Sequence, residues 1–378
     1  MHAISRFLGL AHGALAKAAR LHPGYPFLTK RARSKSGPTG HRFSITMTAS
    51  PEGASNLQSS SKRARVDCAA IATGMTGEEK FFFDLNGYIV VRGVLSAAEV
   101  AEANAAIDAH ESDIVERKGV LRNTRMGSPL GGDGSTGRRE LAGLLEWPEP
   151  QCHPFRSFLD HPKLVPYIIE LCGEGYRMDH LPFAILQHTG CEGFQLHGGP
   201  LDANGKLSRV LQYRCEDGVF FNSLLGMSVQ LSDHNAGDGG FGVVRGSHKM
   251  KFALPDAFKH GEIGQDHVFQ PETKAGDVVF FSEATVHGAL PWKASHERRI
   301  ALYRFAPSTC AYGRSYSPQW PHAMLEGLTE RQRAVLEPPY ANRLDRPLLR
   351  PQRDEVIIES RGDVKKEFDK AVFKTDYF

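Results

Sequence analysis

The chain has 378 residues, of which 41% are hydrophobic and 24% charged, ordinary values for a globular protein with a sizeable core. No apolar run approaches the roughly 18 residues a membrane span needs, so a spanning helix is excluded. The six cysteines lie far apart with no C-x-x-C pair, against a disulfide scaffold or a thiolate zinc site.

The net charge of +3 is unevenly placed. Residues 1–50 hold eight basic and no acidic residues; removing them leaves residues 51–378 at −5, which argues against a nucleic-acid partner. Ile4, Phe7, Leu8, Ala11, Ala14, Leu15 and Ala18 recur at helical spacing among Arg6, Lys17 and Arg20, the texture of an organelle transit peptide for a mitochondrion or plastid. Competing addresses are Lys62-Arg63-Ala64-Arg65, read as a nuclear signal, a peroxisomal-type Arg20-Leu21, and the cytoplasm. Residues 1–74 are rich in Ser, Gly, Pro, Ala and basic residues and are expected to form a disordered leader and linker.

Order is expected from Thr76. Phe81–Phe83 precede an Asn86-Gly87 turn and a short β run, Tyr88–Val91. Ser96-Ala97-Ala98-Glu99 is a capping box opening a helix with Val100, Ala103 and Ile107 on its apolar face. Leu121–Ser135 reads as a loop and His153–Cys172 as one helix. From Met178 the texture changes to short β runs at Phe183–Gln187, Val219–Phe221, Leu224–Leu231, Phe241–Val244, Val278–Phe281 and Arg299–Phe305. Such spacing predicts a mainly β domain with flanking helices, a sandwich or jelly roll over residues 75–310. Residues 311–378 form a C-terminal extension packing on it, with a helix over Glu326–Leu336.

Among 17 histidines, two stand in unusual company. His197 lies in Phe194-Gln195-Leu196-His197-Gly198-Gly199-Pro200. His287 ends the run Gly276-Asp277-Val278-Val279-Phe280-Phe281-Ser282-Glu283-Ala284-Thr285-Val286-His287, and Arg298 follows eleven residues on. Imidazoles at neighbouring strand ends suit a divalent iron with open positions, and a deeper arginine can clamp a carboxylate.

With these motifs, the central block Gln230-Leu231-Ser232-Asp233-His234-Asn235-Ala236-Gly237-Asp238-Gly239-Gly240-Phe241, the turn Gly246-Ser247-His248-Lys249 and the pair His287-Gly288, the chain resembles the phytanoyl-CoA dioxygenase family from about Phe81 to Phe305. That resemblance implies a double-stranded β-helix (a cupin-like jelly roll) using Fe(II) and 2-oxoglutarate to hydroxylate an unactivated C–H of a small organic or lipid-like substrate, releasing succinate and CO2. It makes His197 and His287 the catalytic metal ligands and Arg298 the cosubstrate-binding cation, with Arg299 as the fallback should the register slip by one. His248, Asp233 and Asp238 are expected to be structural. The basic clusters Arg122–Arg125 and Arg138-Arg139 are candidate contacts for an anionic substrate, and the oligomeric state is left open.

One departure matters. The family motif is His-x-Asp, whereas this chain has His197-Gly198-Gly199. The missing carboxylate can come from Glu283, four residues before His287 and on the same face of a regular strand, or from Asp202. Alternatively, chloride fills the Gly199 position, as in the iron/2-oxoglutarate halogenases; or water fills the gap; or the site is silent and the jelly roll is a non-catalytic binding protein.

Overall fold

The computed structural model describes residues 74–313, 320, 322–341, 346–360 and 362–374. The leader, with its transit-peptide and nuclear-signal readings, lies outside the described residues.

The first helix, α1 (Gly77–Asn86), is one the sequence reading did not anticipate. It carries its own signal: Thr76 caps it, Glu79 reaches back to complete a capping box, and Gly87 at φ +81° closes it. Strand β1 (Tyr88–Val91) follows, then α2 (Ala97–Ala109), opened by the expected Ser96/Glu99 box. Short β2 (Val115–Glu116) and β3 (Arg139–Leu141) flank the expected loop. The single helix expected over His153–Cys172 is two, α3 (His153–Ser157) and α4 (Val165–Cys172). Pro154 and Pro166 sit in their first turns, where a missing N–H costs nothing; inside one continuous helix Pro166 would break the ladder.

The β region comprises β4 (Arg177–Gln187), β5 (Phe194–His197), β6 (Tyr213–Glu216), β7 (Val219–Asn222), β8 (Leu225–Gln230), β9 (Gly240–Val243), β10 (Val278–Ser282), β11 (His287–Leu290) and β12 (Arg298–Ala306). β12, β8, β10, β1, β4, β3 and β2 form a seven-stranded antiparallel sheet in the order β1-β10-β8-β12-β4-β3-β2. A second sheet, β5-β11-β9, supplies the opposing layer, and β6–β7 form a separate hairpin. The fold is a mainly β, jelly-roll arrangement of antiparallel sheets with helices outside, and it does not close into a barrel.

Alternation along the strands explains the layering. On β12, Ala301, Tyr303 and Phe305 join the main core with Phe155, Phe158, Ile168 and Leu171 of the helical side. Ile300 and Leu302 point the other way and pack with Ile185, Val279 and Phe281 in a smaller cluster against Phe241. On β8 the inward positions are small or polar, Gly226, Ser228 and Gln230, while Leu225, Met227, Val229 and Leu231 enter the main core. The inner face of the large sheet is thus lined for a cavity.

Beyond Pro307, the expected helix over Glu326–Leu336 starts late. Gly327 takes φ +73°, Thr329 is the cap and Gln332 completes the box, so the helix runs Glu330–Val335 after a short one at His322–Leu325. An antiparallel hairpin, Leu348–Gln352 with Glu355–Glu359, and a helix, Asp363–Phe373, were not read from the sequence. Trp320, Leu336, Leu349 and Val356 enter the main core. No described helix is long and apolar enough to cross a membrane, and the five described cysteines are free.

Candidate metal centre

The small sheet sets two imidazoles side by side. In the antiparallel pairing of β5 with β11, His197 is the direct partner of His287, and their ring centroids lie 4.3 Å apart. Each ring is oriented by a carbonyl two residues before it: Nδ1–H of His197 donates to Gln195 O (3.1 Å), and Nδ1–H of His287 to Thr285 O (2.8 Å). These bonds assign the proton to Nδ1 and leave both Nε2 lone pairs available to a metal.

Glu283 joins them, though not by strand geometry. Strand β10 ends at Ser282 and β11 begins at His287, so Glu283 and His287 do not share one face of a regular strand. Residues 282–285 turn instead, with Thr285 N–H donating to Ser282 O (2.8 Å), and the turn folds the carboxylate back. Glu283 Oε2 lies 3.5 Å from His287 Nε2, and the donor atoms of His197, Glu283 and His287 all lie within 4.8 Å of one another. Two imidazoles and a carboxylate are the donor chemistry an iron(II) oxygenase site uses. Among the described residues no other group of three such side chains converges.

The two glycines after His197 explain why the carboxylate comes from this turn. Both have positive φ (92° and 91°), a conformation that favours glycine. A Cβ on Gly198 would stand 2.5 Å from Thr285 O and 2.8 Å from Glu283 O. The absent side chain therefore lets the 283–285 turn close directly on the end of β5. At Gly199 a Cβ would meet Met250 Cε at 2.6 Å, so the space a side chain would take there is filled by a methyl group.

The second carboxylate oxygen is held by Arg304, whose Nε donates to Glu283 Oε1 at 2.6 Å. Burial pushes the Glu283 carboxyl up, but Arg304 and the two imidazoles outweigh it and bring its pKa down to about 2. Burial drives the His197 pKa down to about 3, with His287 adding to the effect, and burial lowers that of His287 too. At neutral pH the cluster is an anionic carboxylate beside two neutral imidazoles, the protonation state a metal requires.

Arg298 and Arg304 reach the same cavity because β12 alternates: Arg298, Ile300, Leu302 and Arg304 all line it. The cavity encloses about 580 Å³ including its mouth, and His197 and His287 form part of its wall with Phe183, Phe194, Phe241 and Phe281. Phe281 lies over the His287 ring at 4.7 Å and fits there because its β8 partner is Gly226, where a Cβ would strike the Phe281 ring at 2.2 Å. Arg298 is buried and donates from Nη1 to Gln187 Oε1 (2.6 Å), while its Nε has no hydrogen-bond partner among the described residues. Burial lowers its pKa to about 9, still cationic at neutral pH.

Other expected residues lie elsewhere. Arg299, one position out of phase, points away from the cavity and pairs with Asp108 and Glu297, each at 2.7 Å, so the register places Arg298 inside. Asp202 is exposed in its own turn, accepting from Asn204 N and Lys206 N (both 2.9 Å), and is not part of the cluster. Asp233 and Asp238 brace their loop through Ala275 N and Asn235 N. In the basic clusters, Arg122 pairs with buried Glu192, Arg125 with Glu262, and Arg139 with Glu297. Arg138 lines the cavity, paired with Glu140 and stacked on Phe194. Arg304 was missed; counting by twos from Arg298 finds it.

His248 fixes its turn. It is buried, and Nε2–H donates to Asp84 O at 2.9 Å. Burial lowers its pKa to about 4. As pH falls below about 6.5 the unfolded chain takes up a proton that the folded chain refuses until about pH 4. Stability on the order of 3 kcal/mol is thus present above about pH 6.5 and lost across that window. Urea midpoints at pH 7.5 and 5.0 are expected to differ less in His248→Gln than in the natural protein; an equal pH slope in both would exclude this assignment.

The family model described as Phytanoyl-CoA dioxygenase (PhyH) matches residues 210–300, a span that contains Glu283, His287 and Arg298. Similar solved structures include HygX from Streptomyces hygroscopicus with nickel and 2-oxoglutarate bound, 20% identical over 62% of this chain and 87% of that one, TM-score 0.49. The non-heme alpha ketoglutarate dependent epimerase SnoN from nogalamycin biosynthesis is 20% identical over 64% and 86%, TM-score 0.43. The carbocyclase SnoK from the same biosynthesis is 19% identical over 67% and 95%, TM-score 0.45. No curated protein matches the chain.

Proposed function

We propose that this chain, whose residues 210–300 match the phytanoyl-CoA dioxygenase family model, is an iron(II)- and 2-oxoglutarate-dependent enzyme that hydroxylates a C–H bond of a small, largely apolar substrate seated in the cavity of His197, His287 and Arg298. The observation that carries this reading is the convergence of a half-buried His197 and buried Glu283 and His287 with a buried arginine that has no carboxylate partner among the described residues, His197, His287 and Arg298 all lining one cavity.

His197, His287 and Glu283 would hold the iron, and Arg298 would take the distal carboxylate of 2-oxoglutarate. Iron(II) bound there, with 2-oxoglutarate and dioxygen, supplies the oxidising power to cleave an unactivated C–H bond, the cosubstrate leaving as succinate and CO2. The chain's own residues do the rest. The carbonyls of Gln195 and Thr285 keep each Nε2 aimed inward, and Arg304 fixes which Glu283 oxygen faces the imidazoles. Phe183, Phe194, Phe241 and Phe281 exclude water and set an apolar wall that orients the substrate. Glu283 supplies the carboxylate that the Gly199 position lacks, which favours hydroxylation over a halide-bound site.

The reading is tested by adding dioxygen to protein loaded anaerobically with ferrous iron and 2-oxoglutarate, and measuring succinate. Succinate formation is expected, falling to background in His287→Ala. Unchanged turnover in that variant would remove the iron assignment.

A further inference from the structure

The lining of the cavity has a feature that the metal centre does not explain. Arg298 is 3% exposed and, among the described residues, has no carboxylate partner and a single side-chain acceptor, Gln187 Oε1. Gln187 is fully buried and is the direct cross-strand partner of Arg298 in the pairing of β4 with β12. A lone buried guanidinium is costly, and the usual remedy is a carboxylate, which forms two parallel charge-assisted bonds. Here a neutral amide stands where that carboxylate would be.

The amide is locked in one orientation. Its Nε2 donates to Glu192 O at 2.7 Å, which forces Oε1 to face Arg298. The nearby acid is already committed, because the Glu192 carboxylate accepts from Arg122 (3.0 Å), Thr124 Oγ1 (2.9 Å) and Asn123 N (3.2 Å). Gly240 on β9 lets the arginine lie against its backbone: a Cβ there would stand 2.7 Å from Arg298 Nε and 3.1 Å from Cδ. Arg298 is therefore held by Gln187 on one side, packed against the Gly240 backbone on another, and left uncompensated among the described residues.

We propose that Gln187 sets the preference of this cavity for a 2-oxo acid bearing a second carboxylate, as a positioning residue that orients Arg298 without neutralising it. The inference rests on the reading of the cavity as a 2-oxoglutarate site. An entering carboxylate finds donors already aimed and no internal anion to displace. A glutamate at 187 would engage the fork itself, and the incoming carboxylate would meet a neutral pair and a repelling charge.

The test compares equilibrium binding of 2-oxoglutarate and 2-oxobutanoate, which lacks the distal carboxylate, to the iron(II)-loaded chain without oxygen, by calorimetry. The natural protein is expected to favour 2-oxoglutarate. In Gln187→Glu that affinity falls by about 100-fold while 2-oxobutanoate changes less than about threefold. Gln187→Met keeps the site neutral but frees the guanidinium, and narrows the preference by about five- to tenfold; it carries the test should the glutamate variant not fold. An unchanged preference in both variants, or an equal loss for both acids, overturns the role given to Gln187. A natural protein that does not distinguish the two acids overturns the reading of the site itself.

Discussion

Glu283→Ala is expected to weaken ferrous-iron binding by more than about 100-fold, the scale above which loss of a ligand rather than of its support is felt. The carboxylate supplies the only negative charge within the donor set, and it is ionised in the fold because Arg304 holds it. Removing it also leaves Arg304 without a carboxylate partner among the described residues, at a cost on the order of 3 kcal/mol. Glu283→Gln separates the two effects: it keeps an acceptor for Arg304 and retains the fold, yet loses the charge and most of the metal affinity. Gly199→Asp in either background is expected not to restore binding, because the residue would need positive φ and its Cβ would overlap Met250 Cε. Anaerobic iron titrations of the natural protein and the four variants check this, and full rescue by Gly199→Asp would contradict it.

Arg298→Met is expected to act in opposite directions on function and stability. Two charge-assisted bonds to the cosubstrate are lost, so 2-oxoglutarate affinity falls by about 100- to 1,000-fold. The same change removes a buried cation whose Nε has no partner among the described residues, replacing it with an apolar chain of similar reach. The thermal midpoint is therefore expected to stay level or rise. Arg298→Lys keeps the charge but not the fork and falls between them in affinity. A large drop in the midpoint of Arg298→Met would show that the arginine serves the fold.

Much of this site was legible in the chain. His197, His287 and Arg298 stand out because each sits in a local motif, and strand alternation on β12 fixes which of two adjacent arginines enters the cavity. Glu283 was reached by an argument the structure corrects, since a turn and not a strand brings it to His287. That turn depends on Gly198, a contact between segments some 85 residues apart that periodicity does not register. Gln187 carried no signal of its own: a glutamine in a β run is unremarkable until the register sets it opposite Arg298. Helix α1 went unassigned because its three consecutive phenylalanines show no helical period and only Phe83 is buried, although the Thr76–Glu79 box marked its start.

The most direct measurement is visible absorption of the anaerobic protein titrated with ferrous iron and then 2-oxoglutarate, with and without chloride. One iron per chain, a metal-to-ligand band that appears on adding the cosubstrate, indifference to chloride, and loss of the band in His287→Ala are the expected results. A band that survives in His287→Ala, or no band in the natural protein, would contradict an iron centre built on His197, Glu283 and His287.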